Sequence, residues 1–200
     1  MIVVTGSCRS GTSMMMQTLK LLGVEIAGHA FHPDFPVVEG NPKGYFDLPF
    51  EELIGGINTT KYKDKAIKIL GEWILGISTD DITHIIVCKR RDGGAQDRST
   101  KKLLKIESEI KSTSSTREIL LKACLKLSDK DLRERRFLNY HYIGAYLDKF
   151  TGYSTEIFFE DMLSETEETI TNIKNFLHLD SDVDISKAVD NIGIHEMSGE

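Results

Sequence analysis

The stretch Ile2-Val3-Val4-Thr5-Gly6-Ser7-Cys8-Arg9-Ser10-Gly11-Thr12-Ser13 decides the architecture. Its first four residues are apolar or β-branched and end at a glycine, the pattern of a short buried strand. From Ser13 to Leu22, the residues Met15, Leu19 and Leu22 recur at helical spacing. A strand, a glycine-rich turn and a helix thus follow one another without a break. Such an order makes an anion site for three physical reasons. Glycines let the backbone approach a ligand, successive N–H groups converge, and the helix dipole adds roughly half a positive charge. The alternative is a Ser/Gly-rich turn that serves only as a helix cap. Arg9 inside the turn favours the anion.

The same alternation continues outward. Ala66–Leu70, His84–Cys88 and Glu156–Phe159 are short apolar runs that read as strands. Between them lie helical patterns at Gln96–Ile110, Ile119–Leu127 and Asp129–Phe150. Gly93-Gly94 opposes the start of the first, Ser112–Thr116 is a polar break, and Ser128 is the expected N-cap of the third. Ser164-Glu165-Thr166-Glu167 has the form of a capping box opening a helix to about Leu177. Gly28–Leu48 holds three of the four prolines and three glycines, so it reads as a long irregular segment. Strands alternating with helices imply an α/β fold, three layers around a central, mostly parallel sheet with a P-loop-like strand-turn-helix at its start. No repeat or linker divides the chain, and residues 1–200 read as a single domain. The acidic tail after Asp180 is compatible with a short helix or with a frayed end.

Composition narrows the function classes. The chain has 200 residues, 40% hydrophobic and 28% charged, with a net charge of −6. No global positive field exists to hold nucleic acid or an anionic membrane, so any anionic ligand needs a local constellation. Cys8, Cys88 and Cys124 are odd in number and widely spaced, which favours reduced thiols over disulfides or a zinc site. No basic leader with a long apolar stretch is visible, and no apolar run is long enough to span a bilayer. The expected location is the cytoplasm.

The Gly6-x-x-x-x-Gly11 spacing fits the Walker A template, but Thr12 stands where that template needs lysine. The segment Ser7-Cys8-Arg9-Ser10-Gly11-Thr12-Ser13 instead resembles the phosphosulfate-binding loop of sulfotransferases, with Cys8 where proline is usual. The resemblance implies 3′-phosphoadenosine 5′-phosphosulfate as co-substrate and no metal. It places Arg9 at the transferring sulfuryl group, and Ser10, Gly11, Thr12 and Ser13 at the 5′-phosphate. After the third strand, Arg91 and Ser99 have the eight-residue spacing of the family's 3′-phosphate pair, without the usual proline; Arg90 is a substitute. Asn41–Asp47, the Lys65–Leu70 strand with Lys68 in a commonly basic position, and Phe159–Leu163 followed by a helix ending in Phe176-Leu177 resemble other family segments. Together they span most of residues 1–180. The basic glycine-containing loop of the eukaryotic cytosolic branch has no counterpart.

Transfer to an acceptor hydroxyl or amine also needs a general base. Its candidates are His29, His32, Glu39, Asp47 and Glu51, with Asp47 preferred because it closes the Asn41–Asp47 segment near the sheet edge. The acceptor class stays open, a small molecule or a glycan. Two other readings compete. A P-loop kinase or NTPase would use Glu160 or Asp161 to hold its metal. A non-catalytic nucleotide-binding module would keep the turn and lack the base.

Overall fold

The computed structural model describes residues 1–31, 41, 43–108 and 122–197. Four strands, β1 (Ile2–Gly6), β2 (Ala66–Leu70), β3 (His84–Lys89) and β4 (Tyr153–Phe158), form one sheet in the order β2-β1-β3-β4. Every pairing is parallel, with Val4 opposite Lys68 on one side and Ile86 on the other. The sheet is therefore wholly parallel. The central strands β1 and β3 read as nearly continuous apolar runs because both faces are covered, whereas the edge strand β4 is more polar and more exposed.

Side-chain alternation divides the core in two. Val4, Ala66, Ile86 and Cys88 face one layer, packed under α1 (Thr12–Leu21), α5 (Phe159–Ser164), α6 (Thr166–Phe176) and α7 (Ser186–Met197). Val3, Ile67, Ile69, Ile85 and Val87 face the other, under Ile74 of a 3-10 turn (Gly71–Gly76) and Ile143 and Tyr146 of α4 (Asp129–Leu147). A short α2 (Phe50–Gly55) lies between α1 and β2, and α3 (Gly93–Ser108) follows β3. Among the described residues no helix is long and apolar enough to cross a membrane.

Several boundaries differ from the sequence expectation, each for a local reason. α3 begins at Gly93, although two glycines oppose helix there. The Asp92 carboxylate accepts the Ala95 N–H at 2.8 Å, and a side chain at Gly93 would strike the Arg136 guanidinium. Ser128 caps α4 as expected, in a reciprocal box with Asp131. Ser164 does not form its expected box: it ends α5, its hydroxyl returns to the Glu160 carbonyl at 3.0 Å, and α6 starts without a side-chain cap. Phe159 belongs to α5 rather than to β4. The tail after Asp180 forms α7, which buries Ala188 and Ile192 against α1 and α6. Cys88 is buried in the core, whereas Cys124 is only half-buried. The Ser112–Thr116 break and the start of the Ile119–Leu127 pattern lie outside the described residues; 122–124 are helical.

The strand order locates the site. After β1 the chain crosses under α1 to β2 on its left, whereas after β3 it crosses by α3 and α4 to β4 on its right. In an open parallel sheet, ligands bind outside the carboxyl ends at such a reversal. Here that place is between Gly6 and Lys89.

Candidate functional site

The turn after β1 is built for close approach. A side chain at Gly6 would run into the Ser10 hydroxyl and, at 2.5 Å, into the Cys88 carbonyl, so only glycine fits beneath the loop. Ser10 N–H closes the turn on the Ser7 carbonyl at 3.2 Å. Arg9 and Gly11 are left-handed, with φ of 63° and 98°. For arginine that conformation costs about 1–2 kcal/mol. Gly11 is the N-cap of α1 and makes no side-chain cap, and the first turn of α1 carries no acidic residue. The helix start therefore keeps its positive end uncompensated by its own sequence.

Arg9 is not left to wander: its Nε donates to Ser99 Oγ on α3 at 2.9 Å. From the same helix Gln96 donates to the Cys8 carbonyl at 2.8 Å. Tyr140 of α4 lies against Ser10 and Gln96 and donates to the Cys88 carbonyl at 3.2 Å. Burial pushes the Tyr140 phenol above its ordinary value, so the hydroxyl, a donor at neutral pH in any case, stays one further into alkali. Asn139 spans from Ser7 Oγ at 3.3 Å to Glu72 at 2.7 Å, and Arg135 closes on the other Glu72 oxygen at 2.7 Å. Two helices thus grip the turn from one side.

Ser99, expected beside Arg91, holds Arg9 instead. Arg91 leaves the end of β3 and makes a two-pronged contact with Asp161, its second prong at 2.9 Å, while stacking over Phe158 at 4.3 Å. Its own N–H donates to Glu160 at 3.0 Å. Arg90 stacks over Phe159 at 4.4 Å, and Phe159 is the ring that would meet a side chain at Gly11. Arg90 Nε is 3.7 Å from Glu160. Both arginines therefore stand on the aromatic pair where β4 passes into α5, with Arg90 on the ring that borders the turn.

Beside the start of α1, Asp47 is half-exposed and pairs with Lys68 Nζ at 2.7 Å. The backbone of Asp47 bridges to both His29 and Lys68, so His29 and Asp47, two base candidates, sit side by side. Glu51 lies in the first turn of α2. His32 and Glu39 lie outside the described residues. Thr12 is buried, and Ser13 Oγ reaches the Tyr45 carbonyl at 3.3 Å. Gln17 fastens the Asn41–Asp47 segment through Asn41 at 3.2 Å and Gly44 at 3.1 Å.

Sequence reasoning gave no role to Gln96, Asn139, Tyr140 or Glu72. Gln96 had a signal, since it lies three residues before Ser99 on one helical face. The others reach the turn only through the long-range crossing of α4, which no local pattern announces. Compared with known protein families and with curated proteins, the chain matches none.

Proposed function

We propose that this chain is a sulfotransferase that moves a sulfuryl group from 3′-phosphoadenosine 5′-phosphosulfate to an acceptor hydroxyl or amine. The observation that carries the reading is the hydrogen bond from Arg9 to Ser99. It joins, across 90 residues, the two segments whose sequence resembles the two ends of that family's coenzyme site. The glycine cradle at Gly6 and the uncapped start of α1 suit a 5′-phosphate.

In this reading Ser10 to Ser13 hold the 5′-phosphate and Arg9 faces the sulfuryl group. The acceptor atom attacks sulfur in line, the bond from sulfur to the bridging oxygen breaks, and its electron pair stays on the 5′-phosphate. Asp47 takes the acceptor proton. Arg9 and the α1 N–H groups stabilise the charge that develops on the leaving oxygen. Arg91, on the third strand end, takes the 3′-phosphate by exchanging Asp161 for it, with Arg90 beside it.

The kinase reading needs a carboxylate for its metal, and the two that fit by sequence are engaged otherwise. Glu160 receives the Arg91 N–H and lies beside Arg90, and Asp161 holds the Arg91 guanidinium. Calorimetric titration separates the two. Adenosine 3′,5′-bisphosphate is expected to bind without magnesium and in preference to ATP with magnesium. Tight magnesium-dependent ATP binding with no bisphosphate binding would overturn the assignment.

A further inference from the structure

Lys68 stands in the middle of β2, flanked by Ile67 and Ile69, with its side chain on the α1 face and only 4% exposed. A buried ammonium is costly unless its three N–H groups all find acceptors. Here they do: Asp47 Oδ1 lies at 2.7 Å, Ser13 Oγ at 3.2 Å, and the Tyr45 carbonyl in a short contact. The ammonium thus sits inside a cage of one carboxylate, one hydroxyl and one carbonyl, all oxygen.

Ser13 gives this cage its meaning. It is the second residue of α1 and follows Thr12, so it occupies the hydroxyl position of the GxxxxGK[ST] pattern. In turns of that kind the hydroxyl holds a magnesium ion that faces the phosphates. Here the charge beside the hydroxyl is the chain's own.

We propose that Lys68 is a resident cation of the phosphate site, a positioning residue that acts through Ser13 and takes the place of a divalent metal. This rests on the nucleotide reading above and extends it to the cation requirement of the same site. By donating to Ser13 Oγ from behind, Lys68 fixes that oxygen as an acceptor and leaves its proton for a partner in front. At present the proton points to the Tyr45 carbonyl at a long 3.3 Å, and that carbonyl already receives Lys68. Turning it to a phosphate oxygen leaves the carbonyl bonded. The chain from Lys68 through Ser13 to the ligand then polarises in one direction. The balancing Asp47 is half-exposed to solvent, whereas the ammonium is buried, so the positive charge is the less screened of the two.

The test measures the affinities of adenosine 3′,5′-bisphosphate and adenosine 3′-monophosphate for wild type and Lys68→Met, each in EDTA and in magnesium. The bisphosphate is expected to bind wild type equally in both buffers, and Lys68→Met to weaken it about 10-fold or more. The monophosphate, which lacks the 5′-phosphate, should change by less than about twofold. The double variant Asp47→Asn/Lys68→Met removes both charges and keeps the measurement open should the single variant fail to fold; it should show the same selective loss. Equal losses for both nucleotides, no loss, or wild-type bisphosphate affinity that rises with magnesium would each overturn the role of Lys68. Wild type that binds no bisphosphate in either buffer would overturn the nucleotide reading itself.

Discussion

At the scale of single residues, the sequence showed which charges stand near the turn but not which partners they find. Arg9 was legible because an arginine within a glycine turn has few structural uses. Its hydrogen bond to Ser99 was not, since it depends on how α3 leaves the end of β3. Arg91 shows the opposite case: its eight-residue spacing to Ser99 is a sequence pattern, and its side chain is taken by Asp161. An exposed pair of that sort contributes little and yields readily to a dianionic ligand. Arg9 sits within the turn itself on a left-handed backbone, with its Nε bonded to Ser99. Arg9→Ala is therefore expected to lower turnover by about 10²–10³, the usual loss on removing one donor to a developing oxyanion. Steady-state rates with an identified acceptor check this, and unchanged turnover would remove Arg9 from the chemistry.

At the scale of elements, the same short motif succeeds once and fails once. Ser128-Asp129-Lys130-Asp131 and Ser164-Glu165-Thr166-Glu167 both place a hydroxyl three residues ahead of a carboxylate. Before Ser128 the chain is not helical, so the serine is extended and its oxygen takes the Asp131 N–H at 3.2 Å. Before Ser164 it already is helical, because Phe159 starts α5, and the hydroxyl is spent on the carbonyl four residues back. A motif read along the chain cannot register that its first residue is already in use. Ser128→Ala should cost about 1 kcal/mol in urea unfolding, the ordinary value of an N-cap. Ser164→Ala should cost less than about 0.5 kcal/mol, because such back-bonding adds little to a helix. Equal costs at the two positions would show that the difference in geometry carries no energetic weight.

At the scale of the whole molecule, four apolar runs and their intervening helices were enough to foresee a parallel α/β sheet, because each burial pattern is local. The strand order was not foreseeable in the same way, and neither was the pairing of Asp47 with Lys68, which requires the irregular segment to return beside β2. The same long-range assembly creates an ionisable cluster at the opposite end of the sheet. His84, the first residue of β3, stacks on Tyr153 at 5.3 Å and meets Phe176 and His178 edge-on. Burial first, then His178 and the amino terminus, hold the His84 imidazole below its ordinary value. Folding therefore favours the neutral ring, and the unfolded chain binds the proton more readily. The stability it contributes is present above the unfolded value of about 6.5 and is lost as the pH falls through the lower folded value. Glu52, Asp92, Asp129, Asp131 and Asp184 are also held below their ordinary values, so their contributions fade only at still lower pH. Between about pH 7.5 and 5.5 the slope thus belongs to His84 together with the Met1 amino terminus, which burial also holds below its ordinary value. Thermal unfolding across that range should show the midpoint falling with pH in wild type. His84→Phe keeps an aromatic ring against Tyr153 and Phe176 and removes the proton site, so its midpoint should fall less steeply. Parallel slopes for the two proteins would mean that the pH response of the fold arises elsewhere.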